Sequence, residues 1–348
     1  MPAKNAPWFF RHCASSFFAG KPRSYRIFVA QFSPLGYRLM TSYPLSEQMA
    51  AFVEKTLSFN STDSSLPGLR QAYSEMCQAF TPPCPAGLEV VDFQLAGVAV
   101  RSWQPPVTPS TNGWPCIVYL HGGGWVVGDL DSHAFICAEL ASVLGVLVIA
   151  VDYRLAPEHP FPAAFDDCLG VWRALRTGPF RLDPARTLVV GDSAGGNLAA
   201  ALCLALRDAG EPMPCAQVLI YPGLGGDHRL PSRSECTDAP LLSSSDLDCY
   251  HALYLGGSRQ PGAYAMPLLA DDFSGLPPAL IAVAQFDPLR DDGVLYAERL
   301  NAAGVSATLY YGEGLVHGCL RARGQVAEVD RLYETLLGYL AETTADKL

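Results

Sequence analysis

The sequence lacks the long apolar run that a membrane-spanning helix needs. Its 348 residues are 49% hydrophobic and 17% charged, but no apolar run approaches the roughly 18 residues of a transmembrane helix. Positive charge is also scarce, since 24 Lys and Arg stand against 34 Asp and Glu, a net charge of -10. Such an acidic chain offers no electrostatic footprint for nucleic acid. The expected partner is therefore a small molecule, bound by a chain long enough to form a large core.

Patterns that indicate disulfides, metals or phosphate cofactors are missing as well. The 11 cysteines are odd in number, no Cys-x-x-Cys occurs, and Cys116, Cys168 and Cys203 lie within stretches of strand or helix character. Free cysteines of this kind act as small apolar residues and favour a reducing, cytoplasmic setting. No histidine or cysteine cluster has zinc-ligand spacing, and no lysine follows the glycine-rich loop as the Walker motif requires. We expect neither a metal ion nor a cofactor.

The most informative motif is the pentapeptide Gly191-Asp192-Ser193-Ala194-Gly195. The apolar run 187–190 predicts a buried strand before it, and the alanine- and leucine-rich run 196–206 predicts a helix after it. A serine on so tight a turn is strained and exposes its hydroxyl, and side chains at the flanking glycines would strike the neighbouring strand or helix. The helix dipole would stabilise negative charge there. The motif predicts Ser193 as a nucleophile; the alternative is a glycine-rich turn with an incidental serine.

A second glycine-rich segment, His121-Gly122-Gly123-Gly124, follows the strand-like run 116–120. Consecutive glycines allow backbone N–H groups to approach a ligand closely. An ester or amide hydrolase needs such donors, because attack on the carbonyl places negative charge on its oxygen. We predict an oxyanion hole formed by the N–H groups of Gly123, Gly124 and Ala194.

The general base is expected after the serine in the chain, with the acid between them. Three histidines follow Ser193, namely His228, His251 and His317. Only His317 follows a strand-like run, 307–311, on a glycine-rich loop. It is the predicted base.

The acid is predicted at the end of the apolar run 279–286, which Asp287 directly follows. There it would hold the imidazole in the right tautomer and stabilise it when protonated. Asp291 and Asp292 are alternatives, but they stand at a predicted helix start, where acidic residues ordinarily interact with the helix dipole.

Four segments in this order resemble the hormone-sensitive-lipase-like branch of the α/β-hydrolases, over about residues 85–342. They are His121-Gly122-Gly123-Gly124, Asp152-Tyr153-Arg154-Leu155-Ala156-Pro157-Glu158, Gly191-Asp192-Ser193-Ala194-Gly195-Gly196-Asn197 and Asp287-Pro288-Leu289-Arg290-Asp291. The resemblance implies a cofactor-free serine carboxylesterase for short or medium acyl esters, with a helical cap over the site. The family commonly has Glu where Asp292 stands and an aromatic residue where Cys319 stands.

The pattern along the chain predicts an α/β fold with eight strands in a mostly parallel sheet and helices on both faces. The expected parts are a basic, non-catalytic and poorly ordered leader (1–45), N-terminal cap helices (46–84), a catalytic domain (85–222 and 258–348) and a cap insert (223–257). The segment 1–46 contains Lys and Arg but no acidic residue, and so resembles a transit peptide. An upstream extension before Met40 is the alternative.

Side chains around the centre carry further predictions. Trp125 and Tyr221 are candidates for lining the substrate pocket, and the alternative for both is an ordinary role in the core. Arg154 is expected to form a structural ion-pair turn with Asp152 and Glu158.

Two other functions are compatible with these residues. The same triad serves amidases, deacetylases and thioesterases, because it catalyses acyl transfer in general. A hydrolase-fold binding protein is the remaining alternative, disfavoured because Ser193, Asp287 and His317 are all present. A homodimer is left open.

Overall fold

A computed structural model describes residues 43–59, 61, 63, 65–258 and 261–345. Its centre is an eight-stranded sheet of order β1-β2-β4-β3-β5-β6-β7-β8. The strands are Glu89–Leu95 (β1), Val98–Gln104 (β2), Trp114–Leu120 (β3), Leu147–Asp152 (β4), Leu182–Asp192 (β5), Gln217–Ile220 (β6), Ala279–Phe286 (β7) and Ala307–Val316 (β8). Strand β2 pairs antiparallel with β1 and β4, and all other pairs are parallel. The predicted mostly parallel, eight-stranded α/β fold is confirmed.

Helices cover both faces of this sheet. They are Glu47–Leu57 (α1), Leu66–Phe80 (α2), Ala134–Leu144 (α3), Ala163–Leu175 (α4), Ala194–Asp208 (α5), Pro231–Glu235 (α6), Ser244–Leu255 (α7), Arg290–Ala302 (α8) and Ala327–Thr344 (α9). Short 3₁₀ turns lie at Pro267–Leu269 and Cys319–Ala322. None of the helices in the described part of the chain is both long and apolar enough to span a bilayer.

The core consists of two apolar layers, one on each face of the sheet. In β3, Val118 packs into the layer of α4, α5 and α8, while Ile117 and Tyr119 pack into the layer of α3 and α9. This alternation follows from the two-residue period of a strand, and the doubly covered sheet explains why the central strands are apolar throughout. Cys116, Cys168 and Cys203 are free and wholly buried in the first layer, as predicted.

Two segments lie outside the alternating pattern. Helices α1 and α2 precede the sheet, and α6 and α7 lie in a connection between β6 and β7. The predicted leader, residues 1–45, falls almost entirely outside the described residues.

The predicted ion-pair turn has different partners in the structure. Arg154 pairs with Asp167 of α4 at 2.8 Å, and Glu158 pairs with Arg70 of α2 at 2.8 Å. The expectation that Arg154 pairs with Asp152 and Glu158 is therefore wrong. Proximity in sequence did not decide the partners, because the turn lies between two helices that each offer an oppositely charged side chain.

Candidate active site

Ser193 lies on the sharp turn between β5 and α5. Its φ of 53° and ψ of -115° are strained for a residue with a side chain, and its N–H donates to the carbonyl of Ile220 at 2.8 Å. A Cβ at Gly195 would lie 1.9 Å from the carbonyl oxygen of Leu120, and one at Gly191 would lie 2.3 Å from that of Gly195. Only glycine fits at these two positions, as the sequence predicts. The turn presents the serine hydroxyl at the carboxyl edge of the sheet.

Strand pairing brings the predicted base and acid together. Phe286 of β7 pairs with Val316 of β8, so the residues that follow them, Asp287 and His317, stand side by side. His317 Nδ1 lies 2.7 Å from Asp287 Oδ2, and His317 Nε2 lies 2.9 Å from Ser193 Oγ. The carboxylate is fully buried and also accepts the N–H of Leu289 at 2.8 Å. These contacts fix the imidazole with one nitrogen toward the acid and the other toward the hydroxyl.

The predicted oxyanion loop reaches the same place. Gly123 and Gly124 have φ values of 119° and 59°, a backbone that favours glycine. Ala194 is the first residue of α5, where N–H groups have no partner within the helix. Within the described residues, the N–H groups of Gly123, Gly124 and Ala194 donate to no protein acceptor. All three residues line the cavity that contains Ser193.

A buried carboxylate that the sequence did not single out for a role supports this loop from behind. Asp192 Oδ1 accepts the N–H of Gly122 at 2.9 Å and the hydroxyl of Tyr119 at 2.9 Å, and it lies 3.4 Å from His133 Nε2. Burial raises the pKa of Asp192, but His133 and the hydrogen bonds outweigh burial and lower this pKa to about 2. Asp192 is therefore an anion at neutral pH, and it anchors the loop. Its position inside the pentapeptide was the only signal in the sequence.

An aromatic stack lies below the same loop. The ring of His121 stacks on Tyr153 at 4.2 Å and faces His133 at 5.6 Å. Burial, followed by the neighbouring His133, lowers the pKa of His121 to about 4. His121 is thus a neutral packing residue at neutral pH.

The cavity at Ser193 is small, with a volume of about 100 Å³. One wall is apolar and comes largely from the α6–α7 connection; it consists of Leu241, Leu242, Leu247 and Leu289. Helix α2 contributes Tyr73, and the turn after His317 contributes Arg321. Neither Tyr73 nor Arg321 was singled out from the sequence, since no motif surrounds them.

The two predicted pocket residues have different locations. Trp125 lies in the cavity lining, where its ring also stacks on Tyr254 of α7 at 4.0 Å. Tyr221 is not among the lining residues and is only 2% exposed. It packs instead against His317, with ring centroids 4.8 Å apart, because the turn after β6 directs its ring into the core. Of the two alternatives for Tyr221, this packing supports the core role.

A buried ion pair joins the α6–α7 connection to the loop that carries Asp287. Asp292 Oδ1 lies 2.5 Å from Arg233 Nη2, and Asp292 also accepts the N–H of Leu224 and of Gly226. Arg233 further contacts the carbonyl of Pro288. Asp292 therefore does more than interact with the dipole of α8, and it is not a member of the triad. In the described ranges, no group of three or more His, Cys, Asp or Glu is placed to hold a metal ion.

The fold and the nucleophile turn together define an α/β-hydrolase. The sequence model of the α/β-hydrolase fold family matches residues 117–321, and the chain belongs to this family. It is 39% identical over 274 residues to esterase LipI of Mycobacterium tuberculosis, covering 76% of this chain and 85% of the relative. It is 44% identical over 233 residues to carboxylesterase NlhH of Mycobacterium tuberculosis, covering 64% and 72%.

A solved structure extends the similarity to the whole fold. The crystal structure of an esterase from the bacterial hormone-sensitive lipase family matches with a TM-score of 0.79 at 29% identity, covering 86% of this chain and 99% of that chain. The predicted resemblance to this branch of the α/β-hydrolases is confirmed.

Proposed function

We propose that this protein is a serine carboxylesterase that hydrolyses short- to medium-chain acyl esters, with Ser193, His317 and Asp287 as its catalytic triad. The observation that carries the proposal is the continuous chain of contacts from Asp287 Oδ2 through the imidazole to Ser193 Oγ, at 2.7 Å and 2.9 Å. Ser193 lies in a cavity that Gly123, Gly124 and Ala194 also line. This proximity of Ser193, His317 and the glycine-rich loop supports a nucleophile, a base and an oxyanion hole in one site, the arrangement that acyl transfer requires.

The mechanism has two steps and needs no cofactor. His317 Nε2 accepts the Ser193 proton as Oγ attacks the ester carbonyl, and the three N–H groups stabilise the negative oxygen. His317 then protonates the leaving alcohol, which gives an acyl-enzyme on Ser193. Water then attacks the acyl-enzyme, with His317 again as the base, and the carboxylic acid is released. Asp287 orients His317 and stabilises its protonated form.

The size of the cavity supports short substrates. A volume of about 100 Å³ is well below the roughly 300–1,000 Å³ of pockets for drug-sized ligands, which favours a short acyl chain. The apolar wall of leucines suits an alkyl group.

The test is a series of 4-nitrophenyl esters from acetate to palmitate. We expect kcat/KM to be highest for the short esters and an initial burst of nitrophenol as the acyl-enzyme accumulates. A maximum at palmitate would indicate a true lipase instead. Faster cleavage of a matched anilide or thioester than of the oxygen ester would indicate an amidase or a thioesterase.

We include a cap in the proposal, formed by residues 46–84 and 223–257 over a catalytic domain of 85–222 and 258–348. Support comes from the cavity lining, to which α2 contributes Tyr73 and the α6–α7 connection contributes Leu241, Leu242 and Leu247. If this cap sets acyl preference, Leu247→Ala should shift the optimum toward longer chains. An unchanged profile would contradict the assignment.

Two further features complete the proposal. Within the described residues β8 pairs on one side only, and its Leu309 and Tyr311 are 39% and 44% exposed; such an edge favours pairing with a second copy in a homodimer. Light scattering would test this, with a monomeric wild type as the contrary result.

The free, buried Cys116, Cys168 and Cys203 favour a cytoplasmic location, which cell fractionation would test.

A further inference from the structure

Arg321 is a buried cation without an anionic partner, and it lines the proposed active-site cavity. It lies in the 3₁₀ turn Cys319–Ala322, four residues after His317. The residue is 9% exposed, and its Nε atom is buried with no hydrogen-bond acceptor. Leaving a buried charge unpaired is costly, so buried arginines are normally paired with carboxylates.

The other buried arginines of the described chain follow that rule. Arg186 pairs with Asp183 at 2.8 Å, and Arg233 pairs with Asp292 at 2.5 Å. Arg321, the third, forms no ion pair with any carboxylate among the described residues. Arg321 is therefore both the one of these three arginines without a carboxylate partner and the one that lines the cavity.

The groups around Arg321 do not neutralise it by contact. Its guanidinium lies 5.8 Å from the ring centroid of Tyr73, and its Nη2 is 3.1 Å from where a Cβ of Gly318 would stand. Burial raises the pKa of Tyr73, Cys77 and Tyr221, so these neighbours are uncharged at neutral pH. Asp192 acts on Arg321 only through space, since its own contacts are with Tyr119, Gly122 and His133.

The cavity is consequently polarised across Ser193. The leucine wall accepts an alkyl portion, while Arg321 presents planar donors beside the turn that carries His317. Because the cavity measures only about 100 Å³, a group that contacts Arg321 must be close to the ester bond being cleaved. A guanidinium in such a place matches the geometry of a carboxylate.

We infer that the preferred substrates are esters that carry a carboxylate near the scissile bond, such as monoesters of short dicarboxylic acids, with Arg321 binding that carboxylate. The inference rests on the proposed function and leaves its chemistry unchanged. The ester C–O bond breaks through the Ser193 acyl-enzyme, and water supplies the hydroxyl of the acid and the proton of the alcohol. Arg321 takes part in no proton transfer, and its role is limited to substrate specificity.

The test uses two pairs of esters, each an anion with its neutral methyl ester. One pair carries the carboxylate on the acyl side (4-nitrophenyl hydrogen glutarate) and the other on the alcohol side (4-carboxyphenyl butyrate). In the wild type we expect kcat/KM for at least one anionic ester to equal or exceed that of its neutral partner. Arg321→Gln should lower that ratio about 10- to 100-fold, the value of a lost hydrogen-bonded charge contact. The responding pair shows on which side the carboxylate binds.

Arg323→Gln is the matched control, since it removes the same charge two residues away. Arg323 pairs with Glu139 and Asp330 at the surface, so the ratio should stay within about threefold of wild type. An unchanged ratio in Arg321→Gln would overturn the inference, and so would a wild-type preference for the neutral ester in both pairs. The wild-type preference for the neutral esters would overturn the inference even if the Arg321→Gln variant does not fold, because it is measured on the wild type alone. If the wild type hydrolyses none of the four esters, the proposed function itself fails.

Discussion

Replacing Asp192 by Asn tests whether the buried carboxylate supports the oxyanion loop. The change removes the anion that accepts from Gly122 and Tyr119 and that lies against His133. The new amide also directs N–H groups at existing donors. Removing one partner of a buried charged cluster costs about 3–5 kcal/mol, and we expect that loss in the free energy of unfolding at pH 7. Urea denaturation measures it.

The same variant should show a distinct pH dependence. The folded-state pKa of Asp192 is about 2, against an ordinary value of 3.8, which corresponds to about 2 kcal/mol of stability. Because the folded pKa is the lower one, this stability is fully present above about pH 5 and is lost as pH falls toward 2. About half is lost by pH 3. The stability gap between wild type and Asp192→Asn should therefore narrow by about 1 kcal/mol between pH 5 and pH 3.

The esterase activity of Asp192→Asn should also fall, because the oxyanion loop loses its support from the carboxylate. If the Gly122 anchor positions the oxyanion donors, kcat for 4-nitrophenyl butyrate should fall about 10- to 100-fold with a smaller change in KM. Asp131→Asn is a suitable control, because it makes the same change at an ion pair whose carboxylate is 82% exposed, and should cost under about 1 kcal/mol. The reasoning would be refuted if the difference in free energy of unfolding between wild type and Asp192→Asn did not change from pH 5 to pH 3 and the kcat of the variant stayed within twofold of wild type.

Three further changes test other parts of the structure. Asp287→Asn should lower kcat about 10⁴-fold, because the imidazole loses the tautomer that the buried acid selects; steady-state kinetics would contradict this if kcat fell less than tenfold. Gly195→Ala should destabilise the fold by about 3 kcal/mol or more, because its Cβ would lie 1.9 Å from the Leu120 carbonyl. The control Gly338→Ala, which has open space in α9, should stabilise by about 0.5–1 kcal/mol, and equal effects in thermal unfolding would refute the steric argument. Arg233→Met should cost about 3–5 kcal/mol by leaving Asp292 buried and unpaired, and a loss below 1 kcal/mol in urea would show that the pair does not hold the α6–α7 connection.

The sequence predicted the fold and the places of the triad residues because both depend on local patterns. Asp287 directly follows an apolar run, and Ser193 and His317 each follow one within a few residues. Parallel strands bring such positions to one edge of the sheet. The length of β8 was less predictable, since Gly312 and Gly314 are poor strand residues. In the structure they continue the strand to Val316, and the Gly314 N–H donates to the Gln285 side chain at 2.7 Å.

The supporting contacts were not predictable because they join residues far apart in the chain. Asp192 meets Gly122 across 70 positions, and Arg233 meets Asp292 across 59. No periodicity indicates which carboxylate faces which donor. The unpaired state of Arg321 is likewise a property of the packed turn and not of any motif.

The most direct test of the central claim is the hydrolysis of 4-nitrophenyl butyrate by purified Ser193→Ala. The hydroxyl is the only atom of Ser193 that the proposed mechanism uses, and the N–H that holds the turn to Ile220 is kept. We expect kcat to fall by about 10⁵- to 10⁶-fold, with the unfolding midpoint close to that of the wild type. A kcat within tenfold of wild type would contradict the assignment of Ser193 as the nucleophile.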